Sequence, residues 1–386
     1  MGRASKSALL LLAAVCLCAI VPADAFIRVS EGKFVDEECR EFVFVGANMW
    51  RMLEAQAQDN TTVEDTMAEA SRLNITVMRI FATGVDPEMP LMEEPGVYNE
   101  EMLLALDGVM AAAARNGIRV TLVPSRNWEN PDSKGMFAAW AGLSSSDEFF
   151  TSRDAQTAFQ DHLEFLATRV NNITGVRYMD DPTIFSWNLM NEPRFFPNNT
   201  VCQENVQLCT DAMQEWIETT SQFIKTVDPN HMVAIGSEGF WGPDSPNVQS
   251  NPNGGDWATE TGQNFYYNSM PDSIDYAVIH IWPDNWNVST DVIDTWVRDH
   301  IVEARELGKP LVIEEFGKNV SSHRAEEIEQ ERNPVFRNVF AHLNQSLVDE
   351  DVLKGAMYWM WDPLLEGPAS QNWTDFSQDQ VLLNET

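Results

Sequence analysis

The sequence predicts an α/β chain folded as a (β/α)8 TIM barrel in one domain. Three observations lead there. Eight short apolar segments, at 42–47, 75–81, 118–124, 183–190, 231–236, 275–281, 310–316 and 355–361, have the length of strands. Helix-length stretches near 61–74, 100–116, 147–170, 204–226, 290–307 and 330–348 alternate with them, as parallel strands and crossover helices do. Most of the strands also end on a polar or aromatic residue, which is what the mouth of such a barrel collects.

The first strand is 42–47. The second contains Val77-Met78-Arg79-Ile80-Phe81, where Arg79 interrupts an apolar run. A buried guanidinium needs a carboxylate partner. That partner is either any structural acid or, in the sharper reading, Glu315. The third strand, with the compact form Thr121-Leu122-Val123-Pro124, leads to Arg126-Asn127-Trp128.

The fourth strand is the most informative. Apolar residues run from Ile184 to Met190 behind Asp180-Asp181-Pro182, then stop at Asn191-Glu192-Pro193-Arg194. A run of that kind fits a strand buried on both faces. Alone, Asn191-Glu192 reads first as a cap for the next helix. The fifth strand lies in His231-Met232-Val233-Ala234-Ile235-Gly236, and the helix after it is not legible. The sixth ends in His280-Ile281-Trp282-Pro283. A strand histidine is commonly core, but its rim position and the nearby aromatic weigh equally for function.

The seventh, Pro310-Leu311-Val312-Ile313-Glu314-Glu315-Phe316-Gly317, repeats the fourth: an apolar strand, acids, a turn. Alternation of side chains along a strand lets only one of Glu314 and Glu315 face the barrel mouth. The eighth gives Tyr358-Trp359-Met360-Trp361, and the polar segment Asp362 to Thr386 suits a closing helix poorly, so that helix is expected to be short or absent. Two strand ends that each deliver a carboxylate to one rim are what a retaining glycosidase requires, with the pair about 5–5.5 Å apart. Tryptophan's flat apolar face suits the face of a sugar ring, and thirteen tryptophans make such platforms available.

Residues 1–25 have the form of a secretory signal: Arg3 and Lys6, an apolar stretch from Ala8 to Val21, then Ala23-Asp24-Ala25. That stretch is short for a membrane span, and the expected product is a secreted, extracellular domain of residues 26–386. The formal charge of −34 becomes −35 without the signal. Such acidity disfavours nucleic acid and anionic polysaccharide and is compatible with a neutral substrate. No Cys/His cluster has zinc-ligand spacing, so neither metal nor cofactor is expected. Cys202 and Cys209 are close enough to staple a loop, which would leave Cys39 a free thiol. Asn-x-Ser/Thr acceptors at Asn60, Asn74, Asn172, Asn198, Asn287, Asn319, Asn344, Asn372 and Asn384 suggest N-glycans. A monomer without membrane attachment is the expectation.

Several stretches carry a family resemblance: VGANMW, ITVMRIFA, EEPGVYNEEMLLALDGVM, TVDPNHMVAIGSEGFWG, VIHIWPDNW, KPLVIEEFGK, GAMYWMW and above all the run from Thr168 to Arg194. Together they resemble secreted endo-β-1,4-mannanases of glycoside hydrolase family 5. The resemblance implies retaining cleavage of internal β-1,4-mannosidic bonds in mannan, glucomannan or galactomannan, without cofactor. It implies Glu192 as acid/base, Glu315 as nucleophile, Asn191 at the sugar 2-hydroxyl, Arg79 bracing the nucleophile, His280 beside the pair and Trp359 beneath the sugar. Asn127, Trp128, Glu238 and Trp241 fall on stretches that line the family's cleft. Arg79 is expected to lower the Glu315 pKa, and the neighbouring negative charge to raise that of Glu192.

There are departures. Trp282 stands where the family has a tyrosine that hydrogen-bonds the nucleophile, and indole can only donate. Arg126 replaces a common asparagine and could alter sugar contacts. Related activities, β-glucan hydrolysis or transfer of mannan chains, share these features, and a non-catalytic polysaccharide binder could share the barrel.

Overall fold

The computed structural model describes residues 26–361 except 85, 129–130, 197–198, 256, 321–325 and 327. Eight parallel strands form one sheet: β1 Phe44–Met49, β2 Val77–Phe81, β3 Arg119–Val123, β4 Ile184–Asn188, β5 Met232–Ala234, β6 Ala277–Ile281, β7 Leu311–Phe316 and β8 Leu353–Tyr358. Their spatial order, β6-β7-β8-β1-β2-β3-β4-β5, joins last to first, because β8 pairs with β1. The β5–β6 seam is bridged where the Asp275 N–H donates to Val233 O at 2.9 Å and the His280 N–H to Glu238 O at 3.0 Å. All eight expected strands are present, and the sheet with its helices is a (β/α)8 barrel.

The outer layer is α1 Asn60–Arg72, α2 Glu100–Arg115, α3 Arg153–Thr168, α4 Val206–Val227, α5 Phe265–Ser269, α6 Val292–Leu307 and α7 Asn333–Val348. Their starts follow local chemistry. Asp59, Asn99 and Ser152 each accept backbone N–H groups from the first turn of the helix they cap. Ser152 also explains why the expected 147–170 helix is divided: a 3-10 turn, Ser146–Thr151, precedes α3. The 204–226 helix is likewise preceded by a separate turn, Thr200–Glu204, tied to α4 by the Cys202–Cys209 disulfide. Cys39, expected to be free, is disulfide-bonded too.

The illegible helix after β5 is the five-residue α5, reached through short 3-10 turns. The signal segment, the eighth helix and the acceptors Asn198, Asn372 and Asn384 lie outside the described residues. Of the other acceptors, Asn60, Asn74, Asn172, Asn287 and Asn344 are exposed and Asn319 is half-buried. Among the described residues no helix is long and apolar enough to cross a membrane.

The interior of the barrel is layered. Its floor is apolar: Phe44, Val77, Phe185, Met232, Val278, Val312 and Met357 pack together. A hairpin that the strand pattern did not announce, Arg28–Ser30 paired with Lys33–Val35, plugs this end. Its Phe34 is fully buried, with its ring 5.2 Å from those of Phe185 and Tyr276. Above the floor the side chains become polar (Asn48, Arg79, Asn188, Glu314), and above them lies the mouth. The floor therefore closes the barrel against water beneath the layer that holds Arg79 and Glu314. Phe34→Ala should lower stability by about 3–5 kcal/mol, with kcat little changed because the ring is remote from the mouth. Denaturant unfolding monitored beside activity checks this, and an unchanged midpoint would mean that the plug is dispensable.

Candidate active site

Beyond β4 the chain keeps hydrogen bonding to both neighbouring strands. The Asn191 N–H donates to Ser125 O at 2.9 Å, and the Glu192 N–H to Gly236 O at 2.7 Å. Glu192 has φ +52°, a conformation costly for a residue with Cβ, held by these contacts. Gly236 permits the close approach: at φ +89° its missing Cβ would lie 2.3 Å from Met190 O and 2.2 Å from Asn188 Oδ1. The result is a Glu192 carboxyl turned into the mouth, 8% exposed. Trp128 Nε1 donates to its Oε2 at 2.6 Å, and His280 Nδ1 lies 2.9 Å from its Oε1.

Glu315 faces it from β7. Arg79 NH1 donates to Glu315 Oε1 at 2.5 Å, and Trp282 Nε1 to Oε2 at 3.2 Å. Trp282 therefore reaches the carboxylate as a donor, and Gly317 makes the room: a Cβ there would lie 2.7 Å from the indole. One oxygen of Glu192, one of Glu315 and His280 Nδ1 all lie within 4.8 Å of one another.

Arg79 is fully buried and connects three strands. NH1 also donates to Asn48 Oδ1 at 3.1 Å, while NH2 donates to Asn188 Oδ1 at 3.0 Å and Asn191 Oδ1 at 2.7 Å. Its Nε is 3.5 Å from Glu314 Oε2. Strict alternation would have turned Glu314 away, and it does not. The pairing of β6 with β7 slips between Ile279 and His280, and that of β7 with β8 between Ile313 and Phe316. This bulge lets both glutamates contact Arg79, with Glu314 beneath Glu315 and held by Asn188 Nδ2 at 2.8 Å.

The electrostatics reverse the expected order of the two acids. Burial raises the Glu192 carboxyl, but the His280 hydrogen bond and charge, then Arg194 and Trp128, outweigh it and leave its pKa lowered. Burial raises Glu315; His280 and Arg79 oppose it, Glu192 and Glu314 add to it, and the net shift is upward. His280 hydrogen-bonds Glu192 at 2.9 Å but lies 3.5 Å from Glu315, so its charge acts on both carboxyls while its hydrogen bond favours Glu192 alone. Burial disfavours a charged His280, yet Glu315, Glu192 and Glu314 push its pKa up to about 10. The two carboxyls titrate as a pair in the free protein.

The remaining expected residues divide. Asn127 sits beside Asn191, its N–H donating to Asn191 O at 2.9 Å, and its buried amide has no hydrogen-bond partner among the described residues. Trp128 is 37% exposed at the mouth, and Trp359 is half-buried, 6.3 Å from Trp282. Glu238 is buried behind Glu192, accepting from Gln263 Nε2 at 2.5 Å and paired with Arg194 NH1 at 3.0 Å. Burial, reinforced by Glu192 and opposed by Arg194, pushes its pKa up to about 7.

Trp241 does not line the cleft. It is fully buried, donates to Glu303 Oε2 on α6 at 2.8 Å and stacks on His300 at 4.0 Å. Arg126 makes no sugar-facing surface either: it is 2% exposed and donates to Gly84 O at 2.7 Å and to Thr83 Oγ1. The sequence pattern left Asn48, Asn188 and Arg194 unassigned and set Glu314 aside as facing away from the mouth. A polar residue within or just beyond an apolar strand was the available signal. Arg194 lies over the Trp128 ring, 4.6 Å from its centroid.

A histidine whose pKa rises on folding stabilises the fold at low pH. The His280 contribution is complete below its unfolded value of about 6.5 and is lost as pH rises through about 10. The stability advantage of the parent over His280→Asn should therefore shrink between those limits, read as unfolding midpoints across pH. An advantage that stays constant would mean that His280 is uncharged in the folded protein.

Residues 24–382 match the family described as GH family 5 beta-mannosidase-like. Mannan endo-1,4-beta-mannosidase 4 of Oryza sativa subsp. japonica is 36% identical over 315 residues, 78% of this chain and 66% of the rice protein. Mannan endo-1,4-beta-mannosidase 1 of Arabidopsis thaliana is 31% identical over 347 residues, 84% of this chain and 81% of that one. Among solved structures, the hyperthermostable endo-1,4-beta-D-mannanase of Thermotoga petrophila RKU-1 superposes with a TM-score of 0.73 at 27% identity, covering 89% of this chain and 99% of that one.

Proposed function

The chain belongs to the glycoside hydrolase family 5 beta-mannosidase-like proteins, and on that premise we propose that it cleaves internal β-1,4-mannosidic bonds of neutral mannans with retention of configuration. The observation that carries the mechanism is the spacing of the two acids. Oxygens of Glu192 and Glu315 lie within 4.8 Å of each other. That fits the retaining separation of about 5–5.5 Å and is too close for the water that an inverting pair holds at roughly 6.5–9.5 Å.

Glu315 attacks the anomeric carbon while Glu192 gives its proton to the departing glycosidic oxygen. Water then enters, Glu192 takes a proton from it, and the oxygen displaces Glu315 from the glycosyl-enzyme. The pair's proton must sit on Glu192 for the first step. Burial favours the neutral form of Glu315 in the free protein, and a bound sugar has to favour its carboxylate instead. Arg79 and Trp282, which already donate to Glu315, stabilise the carboxylate left behind.

Asn191 spends its Oδ1 on Arg79, which leaves its amide N–H groups for the sugar 2-hydroxyl. Trp359 supplies the platform at the cleavage point. Trp128 and Arg194 lie on the Glu192 side, where the leaving sugar departs. No step needs a metal or cofactor. We read residues 26–386 as one exported catalytic domain, monomeric, with N-glycans at its exposed acceptors.

Release of reducing sugar from galactomannan or glucomannan is the first test; a chain that binds mannan without cleaving it would overturn the reading. Glu192→Ala and Glu315→Ala should each abolish mannan cleavage, with opposite rescue. Azide attacking directly in Glu315→Ala gives an inverted glycosyl azide. In Glu192→Ala, a substrate with a good leaving group still forms the intermediate, and azide then gives a retained product. Proton NMR of the products separates the two, and exchanged stereochemistry would mean exchanged roles.

A further inference from the structure

We propose that Glu192, His280 and Glu315 form a binding site for a divalent transition-metal ion of the zinc class, and that the bound ion blocks the cleft. The donor atoms are already gathered. His280 Nδ1 lies 2.9 Å from Glu192 Oε1 and 3.5 Å from Glu315 Oε2, and all three atoms fall within 4.8 Å of one another. An ion about 2.0–2.1 Å from each ligand spaces neighbouring ligands roughly 2.8–3.4 Å apart. Small rotations of the two carboxylates meet that requirement.

Each carboxylate keeps its other oxygen anchored while it offers one to the ion. Trp128 holds Glu192 Oε2 at 2.6 Å, and Arg79 holds Glu315 Oε1 at 2.5 Å. Behind the histidine, Glu314 Oε2 lies 3.6 Å from His280 Nε2, and neither atom has a hydrogen-bond partner among the described residues. A carboxylate in that position keeps a proton on Nε2, and Nδ1 ligates as the ion displaces its proton, now shared with Glu192, to solvent.

Charge favours the same conclusion. Four buried carboxylates, Glu192, Glu238, Glu314 and Glu315, lie with two guanidinium groups, Arg79 and Arg194, so the pocket has room for added positive charge. One imidazole with two carboxylates suits zinc, copper or nickel, whereas calcium demands six to eight oxygens and magnesium a near-octahedral oxygen shell. Inhibition rests on the proposed roles of Glu192 and Glu315; binding does not.

The test is calorimetric titration of the full chain with zinc chloride, with calcium and magnesium chlorides as comparison ions. One zinc ion per chain is expected, with calcium and magnesium failing to compete. Affinity should fall roughly tenfold or more in both His280→Asn and Glu315→Gln. Cobalt(II) added to the parent protein should give the visible absorption of a four- or five-coordinate nitrogen–oxygen site, a readout that needs no variant to fold. Zinc should also inhibit mannan cleavage competitively. Zinc affinity unchanged in both variants, a six-coordinate cobalt spectrum, or inhibition independent of mannan concentration would overturn the proposal. A chain that binds zinc as expected yet cleaves no mannan would retain the site and overturn the proposed activity instead.

Discussion

Everything at the mouth of the barrel hangs on one buried cation. Arg79 rises from the second strand into a fully buried position, and an unpaired guanidinium there would cost several kcal/mol. Its bonds therefore dictate where the neighbours must be. Asn48 from the first strand, Asn188 and Asn191 from the fourth, and Glu315 from the seventh each give it an oxygen. A lysine could supply the charge but not the planar fork that fixes four partners at once. The cation thus sets the position of one proposed catalytic acid directly and that of the other through Asn191, its chain neighbour.

A second constraint is the irregularity of the seventh strand. A regular strand would send Glu314 and Glu315 to opposite faces; the bulge brings both inward. The pocket then holds more carboxylate than fixed positive charge, and His280 makes up the difference by taking a proton. That proton, bonded to Glu192, favours the Glu192 carboxylate in the free protein. In the proposed mechanism Glu192 carries the proton, so a bound sugar has to change the balance between two carboxyls whose oxygens lie within 4.8 Å.

How much of this could be read from sequence follows from the range of each interaction. Strands and helices were legible because burial imposes local periodicity, as in Ile184 to Met190. Glu192, Glu315 and Arg79 stood out as polar residues where apolar ones were expected. The Arg79–Glu315 pair was one of two open readings, and the structure has it at 2.5 Å. What escaped was set by contacts distant in sequence. The Phe34 plug is a short hairpin whose ring packs against residues of the fourth strand and the approach to the sixth. Trp241 lies on a stretch expected at the cleft, but its N–H turns outward to Glu303, 62 residues away. The acid order was missed because it depends on which carboxylate His280 touches, a difference between 2.9 and 3.5 Å. No spacing in the chain encodes that.

The central claim is that Glu315, and not its neighbour Glu314, forms the bond to the sugar. A mannosyl fluoride carrying fluorine at carbon 2 tests it most directly, because the substituent slows the second step more than the first and lets the glycosyl-enzyme accumulate. Fluoride leaves, one carboxylate oxygen becomes an ester, and peptide mapping by mass spectrometry locates it. An adduct on Glu315, within Leu311–Phe316, is the expected result. An adduct on Glu314 or Glu192, or rapid turnover with inversion and no adduct, would contradict it.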